Sequence, residues 1–153
     1  MTFKLFVLSA ALVLGLASSA SAQPYDPCDF SYPVAGCVDG PRAGQEVSTV
    51  PVFGGWSINC ITGRHVGAIT LYRRPEGTLD GEFVPATVYW GPRPDVQTWA
   101  MASGCNGQPE AALGYSVVPN SPQPVGDYVY SLLFTDAPFS HQSGLVYVPV
   151  SVR

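Results

Sequence analysis

From Val50 to Cys60 the even positions carry Val50, Val52, Gly54, Trp56, Ile58 and Cys60, while Pro51, Phe53, Gly55, Ser57 and Asn59 take the other side. Period two predicts an extended, half-buried strand, with Trp56 and Cys60 pointing inward. The same period recurs over Val66 to Arg73, with Ile69 and Leu71 on one side, and over Val125 to Thr135, with Tyr128, Tyr130, Leu132 and Phe134 together. A last run sets Val146, Val148, Val150 and Val152 on a single side. Pro149 opposite them lacks a ladder donor, which predicts a sheet edge near that point. Phe83 to Trp90, Val96 to Met101 and Ala111 to Val118 read as further strands, with Pro85 marking an edge or bulge.

Between these runs the chain is punctuated by 16 glycines and 15 prolines. Turn signals at that density break every window long enough to test for a 3.6-residue period, so very little helix is expected. Gly91-Pro92-Arg93-Pro94-Asp95 is expected to be a surface loop, and residues 23–44, broken by Pro24, Pro27, Pro33 and Pro41, an irregular lead-in. Seven or eight short strands in about 110 residues predict an all-β fold over residues 45–153, an antiparallel Greek-key β-sandwich. Strand spacing by itself is also compatible with a barrel.

The first residues change the compartment. One cation, Lys4, precedes an apolar run from Leu5 to Leu16 and the small residues Ala20-Ser21-Ala22, the pattern of a cleaved secretory signal peptide over residues 1–22. The apolar run is shorter than the roughly 20 residues a membrane span needs, so no membrane insertion is expected and the product is expected to be secreted or periplasmic. The chain from Gln23 onward has six arginines, no lysine and eleven acidic residues, a formal charge of −5. That balance argues against nucleic acid, whose binding needs a basic footprint, and leaves an unknown protein or a polysaccharide as the partner.

Four cysteines, Cys28, Cys37, Cys60 and Cys105, fall in a chain read as exported, which predicts two disulfides. Three connectivities exist, and proximity favours Cys28 with Cys37 and Cys60 with Cys105. Neither C-x-x-C nor H-x-x-x-H occurs, so no zinc site and no cofactor are expected.

Gly55-Trp56-Ser57-Ile58-Asn59, Ile69-Thr70-Leu71-Tyr72, Tyr89-Trp90-Gly91-Pro92-Arg93-Pro94-Asp95-Val96, Gly114-Tyr115-Ser116 and Gly126-Asp127-Tyr128, in that order, resemble a bacterial immunoglobulin-like domain of exported proteins. The resemblance spans roughly residues 45–153. It implies an immunoglobulin-like antiparallel β-sandwich used as a spacer, an adhesion unit or a polysaccharide-binding accessory, with no shared catalytic residues. Trp90 interrupts the family's Y-G pair, and paired cysteines are not a general feature of it.

The residues that could carry hydrolysis are His65, His141, Ser140, Ser143, Asp80, Asp95 and Asp136. Ser140 and His141 are adjacent, so in a strand their side chains diverge, and no G-x-S-x-G is present. Asp80 and Glu82 flank Gly81 in a turn, without the D-x-D-x-D-G pattern of a calcium loop. A non-enzymatic module is therefore expected. Aromatic rings with a polar rim suit sugar or protein contacts, and among Trp90, Trp99, Tyr72, Tyr89 and Tyr147 we place Trp90 at the surface. Trp90, Arg93 and Asp95 form the candidate binding surface, with Arg93 and Asp95 as a local ion pair. Tyr128 is expected to close a sandwich corner by bonding to upstream backbone.

Overall fold

A computed structural model describes residues 25–105, 109–136 and 141–153. Residues 1–22, expected from the sequence to be a signal peptide, and Ser140 lie outside the described residues. Ten strands and one helix follow in order: β1 (Cys28–Asp29), β2 (Val34–Gly40), β3 (Gln45–Val47), β4 (Phe53–Asn59), β5 (Ala68–Pro75), β6 (Glu82–Val84), β7 (Ala86–Gly91), α1 (Pro94–Ala102), β8 (Gly114–Pro119), β9 (Gly126–Thr135) and β10 (Gln142–Val152). They build two five-stranded sheets, ordered β1-β2-β4-β8-β7 and β3-β10-β9-β5-β6. All pairings are antiparallel except β3 with β10. The sheets press face to face as a β-sandwich and do not close into a barrel.

The alternation seen in the sequence fills the space between them. Tyr130, Leu132 and Phe134 of β9 and Val146, Val148, Val150 and Val152 of β10 meet Val38, Phe53, Tyr115 and Val117 of the first sheet. Phe53 lies 4.8 Å from Tyr130 and Tyr115 lies 5.7 Å from Phe134, centroid to centroid. Each such buried side chain contributes about 1.5–3 kcal/mol relative to exposure. Burial forces the phenol of Tyr115 to be satisfied: its O–H donates to the Cys37 carbonyl at 2.8 Å, and desolvation pushes its pKa well above the usual value.

Several expectations are corrected. Residues 34–40, read as irregular lead-in, form β2, paired along its length with β4 and buried from Val34 to Val38. The prolines that suggested a broken segment, Pro33 and Pro41, lie just outside the strand. Inside it, Gly36 is small because the Phe134 ring lies against it; a Cβ there would come within 2.6 Å of that ring. Phe83 to Trp90 is two strands, not one. Val84 pairs with Leu71 in one sheet and Ala86 with Pro119 in the other, so Pro85 is the crossing point between layers. β10 lies second from its sheet edge, between β9 and β3. Gly44 N–H donates to the Pro149 carbonyl at 2.8 Å, so the proline's missing donor faces the side where β3 is only beginning.

The largest correction concerns the two faces of β4. Phe53 points between the sheets, whereas Trp56, Ile58 and Cys60 point to the outer face of the first sheet. There they form a second core with Ala35, Cys37, Leu113 and Cys105, roofed by Val96 and Ala100 of α1. Residues 96–101, expected as a strand, are thus the body of a helix whose buried residues are spaced four apart. Pro94 occupies its first turn, where a missing N–H costs nothing, and Asp95 favours the positive end of the helix dipole. Both disulfides lie at this layer: Cys28–Cys37 cross-links directly opposed residues of β1 and β2, and Cys60–Cys105 ties the end of β4 to the segment after α1.

Candidate functional site

Helix α1 covers only part of the outer face of the first sheet. The uncovered part has almost no side chains. Cross-strand neighbours share a face of a sheet, and one row here reads Gly40, Gly54, Ser116, Tyr89, with Gly91 beside it. The result is a shallow groove of about 470 Å³ floored by glycine backbone. A Cβ added at Gly40 or Gly91 would meet nothing within 4 Å, so the floor is open to a flat ligand.

Tyr89 bounds one side and is 60% exposed. Arg93 bounds the groove where α1 begins. Its guanidinium holds Asp95 in a bidentate pair, with Nε and Nη2 donating at 2.8 and 2.7 Å, and its Nη1 donates to Asp39 of β2. The hydrogen bonds to Asp95 and Asp39 raise the basicity of Arg93, and in turn hold the Asp95 carboxyl at about 2. Beyond Arg93 lies a smaller hollow of about 220 Å³ lined by Phe30, Trp56 and Trp99. Phe30 is 61% and Trp99 37% exposed, and the three rings stand 5.2 to 6.1 Å apart. Arg93 and Asp95 line this hollow too, so one ion cluster separates and serves both.

Of the sequence-based candidates, Arg93 and Asp95 stand together in this surface and form the expected ion pair. Trp90 does not project with them. Ala86, Val88 and Trp90 turn inward along β7, and the Trp90 ring is half-buried, stacked on His65 at 4.0 Å and edge-on to Tyr115. The exposed ring of this strand is its neighbour Tyr89. Asp39 was missed because it belongs to the segment read as lead-in; its exposure at the end of the buried run Val34 to Val38 was the available signal.

The remaining titratable candidates are spread out. The His65 backbone N–H donates to the Glu110 carboxylate at 2.6 Å, and its Nδ1 donates to the Val66 carbonyl at 2.7 Å. Asp136 joins His141, with Nδ1 to Oδ2 at 3.1 Å, and accepts from Asn59 Nδ2 at 2.9 Å, which fastens the turn after β4 to the end of β9. The Ser143 hydroxyl donates to the Gly144 carbonyl and accepts from Phe134 N–H. Asp80 is exposed, and Glu82 pairs with Arg73. Tyr128 packs under Arg73, whose guanidinium lies 4.9 Å from the ring centroid; the tyrosine that bonds to a distant backbone carbonyl is Tyr115. Among the described residues no group of three or more His, Cys, Asp or Glu converges as a metal ion needs, and no helix is long and apolar enough to cross a membrane. No family model, curated protein or solved structure matches the chain.

Proposed function

We propose that this chain is an exported, non-enzymatic immunoglobulin-like module with a binding or adhesion role, and that its contact surface is the outer face of the first sheet from Tyr89 across Arg93 to Phe30 and Trp99. The observation that carries the reading is the uncovered half-face itself. A sheet that roofs one half of its outer surface with a helix and two disulfides leaves the other half bare, glycine-floored and rimmed by exposed rings and a charged cluster. Exposed aromatic rings beside an arginine are the composition of a protein-interface centre, so a protein partner is the first reading. Two disulfides support an oxidising compartment, in keeping with the leader-like start of the chain.

A polysaccharide is the second reading, favoured by the pairing of Tyr89 with a side-chain-free floor that would accept the flat face of a sugar ring. A glycan array probed with wild type and Tyr89→Ala separates the two. Binding lost on Tyr89→Ala assigns a sugar to the groove. A blank array, together with a protein adduct formed on this face and weakened by Trp99→Ala, assigns a protein. Activity on a substrate abolished by His65→Ala or His141→Ala would overturn the non-enzymatic reading.

A further inference from the structure

The two sheets end in four edge strands, and three of them are stubs. β1 has two residues and is stapled to its neighbour by Cys28–Cys37; β3 and β6 have three each and carry Glu46 and Glu82. A two-fold pairing along β3 or β6 would bring like charges together. β7 differs from all three. It runs six residues, Ala-Thr-Val-Tyr-Trp-Gly, with no charge and no proline inside it. Natural sheets blunt long edges with charge, proline or brevity, because an open ladder recruits another strand.

The hydrogen-bond phase of that edge follows from its neighbours. Asn120 N–H donates to the Pro85 carbonyl at 2.9 Å, and Ser57 N–H donates to the Leu113 carbonyl on the other side of β8. Alternation then turns the backbone groups of Thr87, Tyr89 and Gly91 toward β8, and those of Ala86, Val88 and Trp90 away from the sheet. No group among the described residues bonds to these outward amides and carbonyls.

We propose that the occupant of this edge is a second copy of the chain, paired antiparallel with β7 about a two-fold axis through Val88. In that register Val88 faces its own copy and Trp90 faces Ala86, so every outward amide and carbonyl of β7 finds a partner and the largest side chain meets the smallest. On the outer face Thr87 stands opposite Tyr89. The two sheets become one continuous sheet of ten strands, with both glycine-floored grooves on the same side. The pairing does not rest on what those grooves bind. A single strand pair is a small interface, and each chain carries a charge of −5 beyond the leader, so a dissociation constant of about 10–100 µM that tightens with added salt is expected.

Sedimentation velocity over a concentration series, on disulfide-intact protein, tests this directly. Wild type should show a monomer–dimer equilibrium. Val88→Pro removes an outward N–H that the fold itself does not use, and Thr87→Asp sets two carboxylates near the axis on the solvent face. Each should weaken dimerisation at least tenfold, with the far-ultraviolet spectrum unchanged. Should Val88→Pro fail to fold, Thr87→Asp decides. A wild type that stays monomeric to about 500 µM, or a dimer indifferent to Thr87→Asp, overturns the proposal.

Discussion

Arg93 lies across Gly114: a Cβ at position 114 would come within 2.6 Å of Arg93 Cγ and 3.1 Å of the Gly91 carbonyl oxygen. The glycine lets the arginine lie flat on the sheet, where one guanidinium reaches both Asp39 and Asp95. Gly114→Ala should therefore lift Arg93 off both carboxylates and cost about 1–3 kcal/mol in urea unfolding. Because the clash is with the arginine stem, Arg93→Ala in the same background should recover part of that loss. A cycle in which the two substitutions simply add would show that the contact is not felt.

Acid should loosen this corner. Asp95 has its carboxyl held at about 2, against an ordinary 3.8, by the Arg93 hydrogen bonds, and in the other sheet Asp127 is lowered by Ser151 and Arg153. A carboxyl whose folded pKa is depressed contributes stability that is complete above the unfolded value and disappears as pH falls through the folded one. Unfolding free energy should therefore fall as pH drops from about 4 to about 2. Asp95→Asn should flatten that slope in denaturant titrations monitored by tryptophan fluorescence, while leaving neutral pH little changed; an unaltered slope would remove the Arg93 pair as its cause.

The two disulfides close loops of different length, with sequence separations of 45 and 9. On chain entropy alone the first contributes about 4 kcal/mol and the second about 2.7. Replacing Cys60 and Cys105 together by alanine should cost more than replacing Cys28 and Cys37. It should also free α1, since Cys105 anchors the segment after the helix and Cys105 N–H bonds to the Ala100 carbonyl. Tryptophan emission should shift more on removal of the first pair, which frees α1 and Trp99, than on removal of the second, which loosens only the Phe30 ring against Trp99.

At Gly55 a Cβ would overlap the Cys37 carbonyl oxygen and approach the Tyr115 hydroxyl at 2.6 Å, the two groups that bond to each other. Gly55→Ala should prevent folding or lower stability by about 3 kcal/mol or more, because it both crowds the core and unpairs a buried phenol. Gly40→Ala, whose Cβ meets open space, should be tolerated and serves as the comparison, read by thermal melts.

How much of this was legible follows the physics of each element. The valines of β10 were plain because one side faces a core and period two is undiluted, and β9 was plain because its large apolar side chains, Tyr128, Tyr130, Leu132 and Phe134, all fall on alternate positions although Val129, Ser131 and Thr135 opposite them are buried too. β4 was found, but its inner side was assigned wrongly. Both its sides are buried, and which is which depends on a helix docked over Trp56, a contact that periodicity along β4 does not record. α1 was hidden by Pro92 and Pro94, read as loop signals although the second opens the helix, and by its brevity, with only Val96 and Ala100 buried. In the candidate surface Arg93 and Asp95 were visible as near neighbours in sequence. Asp39 comes from 54 residues away and needed the fold, and Tyr89 was passed over because the alternation of β7 was taken in the wrong phase.

The claim that the bare half of the outer face is the contact surface is tested most directly by site-specific photocrosslinking in the cells that produce the protein and their medium, with a benzophenone side chain placed at Tyr89, at Trp99 and, on the far sheet, at Leu79, which is 95% exposed. The account predicts adducts to a partner other than this chain from positions 89 and 99 and none from 79. Adducts from 79 alone, or equal yields from all three, would contradict it.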